Sequence, residues 1–139
     1  MTAARYAIRL VAALAVVLPV RANTFPECRI AGRTPLDDLP PSVSTEIRER
    51  FGPFSWPGGL FNPTDVAQAG VPTRRLINVW RNGERWVLAI EQGGRGYHIS
   101  VVALDVETDR NRVRQSKKRT VFPGDLCATV ADVLAWRVP

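Results

Sequence analysis

The chain has 139 residues, with 19 lysines and arginines, 13 aspartates and glutamates and one histidine, a formal net charge of +6. This length provides one domain with one hydrophobic core. A single histidine excludes sites that are built on two or more histidines. No phosphate-binding glycine loop, dinucleotide fingerprint or nucleophile-elbow motif occurs, so we expect neither a cofactor nor a metal ion.

The first 22 residues have the features of a secretory signal peptide. Arg5 and Arg9 make the start basic, and the apolar run 10–20 is too short to span a bilayer comfortably. The alternative is an uncleaved membrane anchor. We expect residues 1–22 to be removed and residues 23–139 to form a single exported domain, periplasmic or secreted, without a membrane span.

Part of the positive charge belongs to this leader. Without Arg5, Arg9 and Arg21 the domain keeps 16 basic and 13 acidic residues, a net charge of +3. Because a strong overall positive charge is what attracts a protein to nucleic acid without sequence preference, we do not expect a nucleic-acid partner.

Two cysteines remain in the exported part, Cys28 and Cys127. In an oxidising compartment they predict one disulfide that ties the two ends of the domain together. A loop of this length makes the bond worth about 4 to 5 kcal/mol. The alternative is a pair of free thiols, and the absence of a Cys-x-x-Cys spacing argues against a redox or metal role.

Two helices are predicted, at about 41–51 and 126–135. In the first, Val43, Ile47 and Phe51 recur at helical spacing and Gly52 ends the pattern. In the second, the apolar residues at helical spacing are Leu126, Val130, Val133 and Leu134, with Asp125 as the expected cap.

The segment after the first helix concentrates aromatic residues with proline and glycine. Phe54, Trp56 and Phe61 either plug an open edge of the core, which we favour, or form an exposed binding lip. A short helical turn is expected over residues 65–69, ended by Gly70.

Residues 75–106 read as three antiparallel strands joined by tight turns at Asn82-Gly83 and Gly94-Arg95. A fourth, edge strand is expected over 113–122. The basic residues of 110–119 either protect that edge or meet an acidic surface. The predicted fold is α+β: a three- to four-stranded antiparallel meander at about 75–122, packed on one face by the helices at about 41–51 and 126–135, with a single disulfide.

These turns predict a register that pairs Val79 with Trp86, Trp80 with Arg85, Ile90 with Ile99, and Glu91 with His98. The expected buried face then carries Ile77, Val79, Trp86, Leu88, Ile90, Ile99 and Val101. The opposite face is mixed and carries Leu76, Trp80, Val87, Val102 and Leu104 with Arg85, Glu91 and His98.

The main functional hypothesis is a binding module, such as an inhibitor, an immunity protein or an accessory subunit. Aromatic and arginine residues among aliphatic ones are typical of protein interfaces. We expect a protein partner in the cell envelope or outside the cell. The expected binding residues on the mixed face are Leu76, Trp80, Arg85, Glu91, His98 and Val102.

The alternative hypothesis is a small secreted hydrolase. Glu91 and His98, with Arg85 nearby, have the residue types of a metal-independent phosphodiesterase or ribonuclease, in which a carboxylate takes a proton, histidine returns it and arginine steadies the phosphate. A plain surface Glu–His pair explains the same residues. We therefore expect a binding protein rather than an enzyme.

Overall fold

The computed structural model describes Phe25, residues 27–107, Asp109 and residues 112–136. Within them the order is α1 (Pro41–Phe51), β1 (Arg74–Asn82), β2 (Arg85–Gln92), β3 (His98–Glu107), β4 (Arg112–Val121) and α2 (Leu126–Ala135). The strands form one antiparallel sheet in the order β1-β2-β3-β4. The predicted α+β class and four-stranded meander are confirmed, whereas the predicted signal peptide lies outside the described residues.

Helix α1 follows its apolar spacing. Val43, Ile47 and Phe51 are its buried residues. Proline occupies the first helical position, where no backbone donor is needed. Gly52, with a φ of 71°, ends the helix and donates its N–H to the Arg48 carbonyl at 2.8 Å. A left-handed glycine at this position is a common helix terminator.

Helix α2 buries the four predicted apolar residues. Asp125 occupies the N-cap position, but its side chain makes no capping hydrogen bond. The predicted helical turn at 65–69 is wrong, because that stretch forms bends and turns instead.

The two helices cover opposite faces of the sheet, which we call the α1 face and the α2 face. The strand residues buried on the α1 face are Leu76, Val79, Trp86, Leu88, Ile90, Val102 and Leu104. The strand residues buried on the α2 face are Trp80, Val87, Ala89, Ile99, Val101 and Ala103. This differs from the expectation that both helices lie on one face. β2 and β3 each contain six consecutive buried residues, so both sides of the sheet need cover.

The predicted register between β2 and β3 is wrong by one residue. Ile90 faces Ser100 and Leu88 faces Val102. The cause is the connecting loop, which holds the five residues 93–97 between the last paired residues rather than two turn residues. A shift of one residue moves every side chain of a strand to the other face.

The predicted register between β1 and β2 is wrong by two residues near the turn, since Val79 faces Leu88 and the turn residues are Gly83 and Glu84. An offset of two keeps each side chain on its face. A bulge between Leu76 and Asn78 then exchanges the faces beyond it, so Leu76 and Val79 share the α1 face.

The predicted disulfide is present. Cys28 and Cys127 are bonded across 99 residues of sequence, with Cα atoms 5.2 Å apart. A structural disulfide persists in oxidising surroundings, so it fits a location outside the cytoplasm. None of the helices in the described part of the chain has the length and apolar composition that crossing a bilayer requires.

The two outer edges of the sheet have different neighbours. Along β1, Arg33 bridges Trp80 in antiparallel orientation and Ser55 bridges Arg75 in parallel orientation. Along the outer side of β4, the described residues add neither a strand nor a bridge. One edge is therefore covered by the N-terminal half of the domain, and the other is left open by the residues that the structure describes.

Candidate functional site

The sheet face expected to bind a partner is buried. Leu76 and Val102 have no exposed surface and lie under α1, while Trp80 is 1 % exposed and lies on the α2 face. These burials contradict the expected exposure of that face. The second helix covers the face that carries Trp80, while the β1 bulge and the shifted β2–β3 register place Leu76 and Val102 on the face under α1.

Arg85 lies where α2 ends. Its Nε donates to Asp105 Oδ1 at 2.8 Å, its Nη2 donates to Oδ2 at 3.3 Å, and its Nη1 donates to the backbone oxygen of Trp136. Asn82 Nδ2 donates to the Leu134 carbonyl at 3.2 Å. The last carbonyls of a helix have no partner within the helix. Arg85 and Asn82 therefore cap α2.

Asp105 remains ionised in this cap. Burial by itself raises the pKa of its carboxyl group, but the hydrogen bonds from Arg85 and Ser116 and the charges of Arg85 and Arg114 outweigh burial and hold the pKa below its usual range. Arg85 and Asp105 thus form a paired structural unit.

A cleft of about 630 Å³ opens beside this cap, with Arg85, Asp105 and Trp136 among its lining residues. The Trp136 ring lies 5.3 Å from the Arg85 guanidinium and 4.4 Å from Lys117 Nζ. Because Arg85 and Asp105 already bind each other, this cleft offers few free polar groups to a ligand.

Glu91 lies in a second paired cluster, and its side chain is fully buried. Arg75 donates to Glu91 Oε2 from Nε at 3.0 Å and from Nη2 at 2.8 Å, and the Tyr97 hydroxyl donates to Oε1 at 2.6 Å. Burial raises the pKa of Tyr97, and the hydrogen bond and negative charge of Glu91 raise it further against the opposing charge of Arg75. The phenol therefore stays protonated as a donor, and both carboxylate oxygens are occupied.

The predicted pairing of Glu91 with His98 is wrong. Glu91 faces Ile99, and His98 faces Gln92. Alternation along the strands places Glu91 and His98 on opposite sides of the sheet. The His98 Nδ1 lies 2.7 Å from the Gly96 carbonyl oxygen. Two side chains that exchange protons with one substrate must reach it from the same side of the sheet. Glu91 and His98 do not, so they do not form such a pair.

An exposed aromatic residue lies instead on residues 55–60, which we call the Trp56 turn. Ser55 N–H donates to the Arg74 carbonyl at 2.9 Å and Leu76 N–H donates to the Ser55 carbonyl at 2.8 Å, so the turn begins on β1. Gly59 N–H donates to the Trp56 carbonyl at 2.9 Å, and the Ser55 hydroxyl donates to the Leu60 carbonyl. The turn is thereby held to the sheet and closed on itself.

Both interpretations of the aromatic segment apply, each to a different residue. Phe54 is 9 % exposed and packs into the α1 face, whereas Trp56 is 40 % exposed. The two rings meet edge to face with centroids 5.3 Å apart. Phe54 therefore plugs the core, and Trp56, supported on it, forms a lip together with Leu60, which is 77 % exposed.

The loop behind the turn is held by a buried asparagine. Asn62, 1 % exposed, donates from Nδ2 to the Val66 carbonyl at 2.7 Å, and its Oδ1 accepts from the Thr64 hydroxyl at 2.7 Å. A Cβ at Gly93 would lie 2.2 Å from the Asn62 carbonyl oxygen. The loop and the end of β2 are thus in backbone contact, which leaves the loop little freedom.

A second cleft, of about 330 Å³, adjoins the Trp56 turn at Pro57. It lies over the β1 edge, between the two bridging segments. Its lining residues are Arg33, Thr34, Pro35, Leu36, Pro57, Ile77 and Asn78. The Trp56 turn and this cleft together form the candidate site.

Sequence reasoning considered Trp56 as a lip but missed Leu60 and the cleft. The available signal was the Trp-Pro-Gly-Gly run, which places an aromatic residue on a tight turn. Comparison of the chain with protein-family models, curated proteins and solved structures gives no match. The functional interpretation therefore depends on the geometry of this site.

Proposed function

We propose that residues 23–139 form an exported interaction domain that binds a protein partner through the Trp56 turn and the adjoining cleft. One observation carries this proposal: an indole that is 40 % exposed stands on a turn hydrogen-bonded to β1. Tryptophan is among the residues most enriched at the energetic centres of interfaces. A preorganised turn also loses little conformational entropy when a partner binds.

The cleft supports the same proposal. Leu36, Pro57 and Ile77 give it apolar walls, and Arg33 and Asn78 give it polar groups. An apolar centre within a polar rim is the usual composition of a protein interface. The expected ligand is therefore a partner's apolar side chain that enters the cleft while the backbone around it contacts Trp56.

The compartment follows from the predicted leader and the disulfide. Removal of residues 1–22 would release the domain into the periplasm or outside the cell, where the Cys28–Cys127 bond is stable. The partner is expected there. Mass spectrometry of the exported protein tests this part, since a mature chain should begin at Asn23.

Site-specific crosslinking tests the surface. A photoreactive phenylalanine analogue replaces Leu60 in the full chain, which is expressed in its native host and irradiated. We expect one discrete crosslinked protein. The adduct should disappear when Trp56→Ala is added and persist when Val66→Ala is added, since Val66 is an aliphatic residue of the same loop that is 67 % exposed.

The purified partner then gives the affinity. Trp56→Ala should weaken binding roughly thirtyfold, as expected for removal of a central aromatic contact, while the circular dichroism spectrum stays unchanged. Equal affinity of the parent and the Trp56→Ala variant for the crosslinked protein would refute this use of the Trp56 turn.

A further inference from the structure

The edge strand β4, whose outer side has no neighbour among the described residues, carries a row of positive charge. Its basic residues are Arg112, Arg114, Lys117, Lys118 and Arg119. The ion pairs of the described residues involve other cations, namely Arg33, Arg50, Arg75, Arg85 and Arg95. Arg112 and Arg114 lie opposite Glu107 and Asp105 of β3, whereas Lys117, Lys118 and Arg119 lie opposite the apolar residues Ala103, Val102 and Val101.

Two of these cations are held in place by aromatic rings. Lys117 Nζ lies 4.4 Å from the centroid of Trp136, and Lys118 Nζ lies 5.1 Å from the centroid of Phe51. Lys117 pairs with Ala103 and lies on the α2 side, whereas Lys118 pairs with Val102 and lies on the α1 side. Positive charge is therefore presented on both sides of the same backbone edge.

The backbone of this part of β4 is regular. Lys117–Val121 pairs residue by residue with Ile99–Ala103 of β3, and the irregularity of the ladder lies on the other side of Lys117. The next residue, Phe122, is 69 % exposed. The open edge thus consists of five extended residues, three cations at its start and an exposed aromatic ring beyond its end.

A charged edge discourages pairing with a second copy, because that copy brings the same cations to the contact. The same charges attract an acidic strand. Pairing of an extended peptide with an open sheet edge supplies backbone hydrogen bonds, while side chains on alternate sides supply specificity. The arrangement at Lys117–Phe122 meets both requirements for a ligand of opposite charge.

We propose that the outer edge of β4 at Lys117–Val121 binds an extended acidic segment of a protein partner as a fifth strand. Acidic side chains lie against Lys117, Lys118 and Arg119, and an apolar side chain lies against Phe122. A single-stranded nucleic acid fits less well, because it needs several aromatic faces for stacking, and the Trp136 ring is already contacted by two cations. This second site is independent of the Trp56 turn.

The test measures fluorescence anisotropy of a labelled peptide, Glu-Glu-Glu-Thr-Val-Leu, with the oxidised domain at low ionic strength; consecutive glutamates of an extended peptide reach both sides of the edge. Two further peptides carry N-methyl groups on the odd or on the even residues, and each set removes the backbone donors along one side of the peptide strand. We expect one methylated set to abolish binding and the other to leave it unchanged. An oligothymidylate of equal charge should bind at least tenfold more weakly.

Charge variants locate the site. Lys118→Gln with Arg119→Gln should weaken peptide binding about tenfold, as expected for two lost exposed ion pairs. Arg29→Gln with Arg95→Gln removes two exposed arginines elsewhere and should change affinity less than twofold. Trp56→Ala should leave peptide binding unchanged, so this result stands apart from the test of the proposed function.

Three outcomes would overturn the proposal. Binding of both methylated peptides at the parent affinity would show attraction by charge alone. Tighter binding of the oligothymidylate would assign the edge to nucleic acid. An equal loss of affinity in the Arg29 and Arg95 control or in Trp56→Ala would place the peptide somewhere other than β4.

Discussion

The outer edges of the sheet show two ways of managing an unpaired strand. Along β1, residues 32–34 and Ser55 hydrogen-bond to the strand, whereas β4 has no described neighbour on its outer side and carries five cations. Proteins avoid edge-to-edge association either by covering an edge or by charging it. Protection of the β1 edge depends on segments that are distant in the chain, whereas protection of the β4 edge depends on the charged residues of β4 itself.

Removal of the disulfide should disturb the covered edge most. Cys28→Ala with Cys127→Ala releases the segment that leads into residues 32–34, and urea unfolding should show a loss of about 4 to 5 kcal/mol. The Arg81 amide donates to the Gly32 carbonyl at 2.7 Å. Its hydrogen should exchange with solvent faster than the lowered free energy of global unfolding alone would predict. An unchanged free energy of unfolding would contradict the role assigned to this bond.

The Glu91 cluster supports the segment that begins at Ser55 and bridges β1, because the Arg75 guanidinium also lies 4.9 Å from the Phe61 ring of that segment. Glu91→Gln keeps the shape but removes the charge that pairs with Arg75, and should lower the free energy of unfolding by about 3 kcal/mol. Glu46→Gln, which breaks the exposed pair with Arg50 on α1, is the matched control and should cost about 0.5 kcal/mol or less. Equal losses in the two variants would show that burial does not strengthen the first pair.

Tyr97 should make this region sensitive to high pH. Burial and Glu91 raise its pKa above the usual 10.0. Below pH 10 the phenol is protonated in both states, and above it only the unfolded state loses the proton, so stability falls as pH rises. Residues 23–139 contain no other tyrosine, so phenolate absorbance near pH 11 should appear only on unfolding. Tyr97→Phe should remove the loss of stability above pH 10 that is due to Tyr97. A phenolate signal from the folded domain near pH 11 would refute the raised pKa.

Loss of charge at the open edge should change association more than stability. Lys118→Val with Arg119→Val weakens the repulsion between the exposed strands of two copies, and sedimentation should show concentration-dependent dimers. The free energy of unfolding should change by only about 0.5 kcal/mol, as for most surface substitutions. Arg29→Val with Arg95→Val should remain monomeric. Dimers of this control would show that net charge, rather than the edge, prevents association.

His98→Ala should have the smallest effect. The ring is partly exposed and contacts a loop carbonyl, so stability should change by less than about 0.5 kcal/mol. Because the ring does not meet Glu91, we expect no phosphodiesterase activity that depends on it. RNA hydrolysis by the purified parent that is abolished in His98→Ala would restore the hydrolase hypothesis.

The elements that could be predicted were those with a local signal. The spacing of Val43, Ile47 and Phe51 and the helical spacing in 126–135 placed both helices correctly. The strand register could not be predicted, because the Ile99 and Val101 set and the Val102 and Leu104 set are both apolar. When both faces of a strand are buried, hydrophobic alternation no longer distinguishes one register from its neighbour.

The candidate site was predictable only in part. The composition around Trp56 pointed to a plug or a lip, but the division of these roles between Phe54 and Trp56 depends on which ring reaches the α1 face. Burial of Trp80 followed from the position of α2, and burial of Leu76 and Val102 under α1 followed from the β1 bulge and the β2–β3 register. The error therefore had two sources, the placement of one helix and the register of the strands.

The sequence by itself determined the helices, the approximate strands, the cysteine pair and the charge of β4, because each depends on residues close together in the chain or on a unique pairing. Only the tertiary structure decided the face that each helix covers, the register of β3 and the exposure of Trp56. These depend on loop length and on long-range packing, where several arrangements satisfy the same local pattern and the best-packed one is adopted.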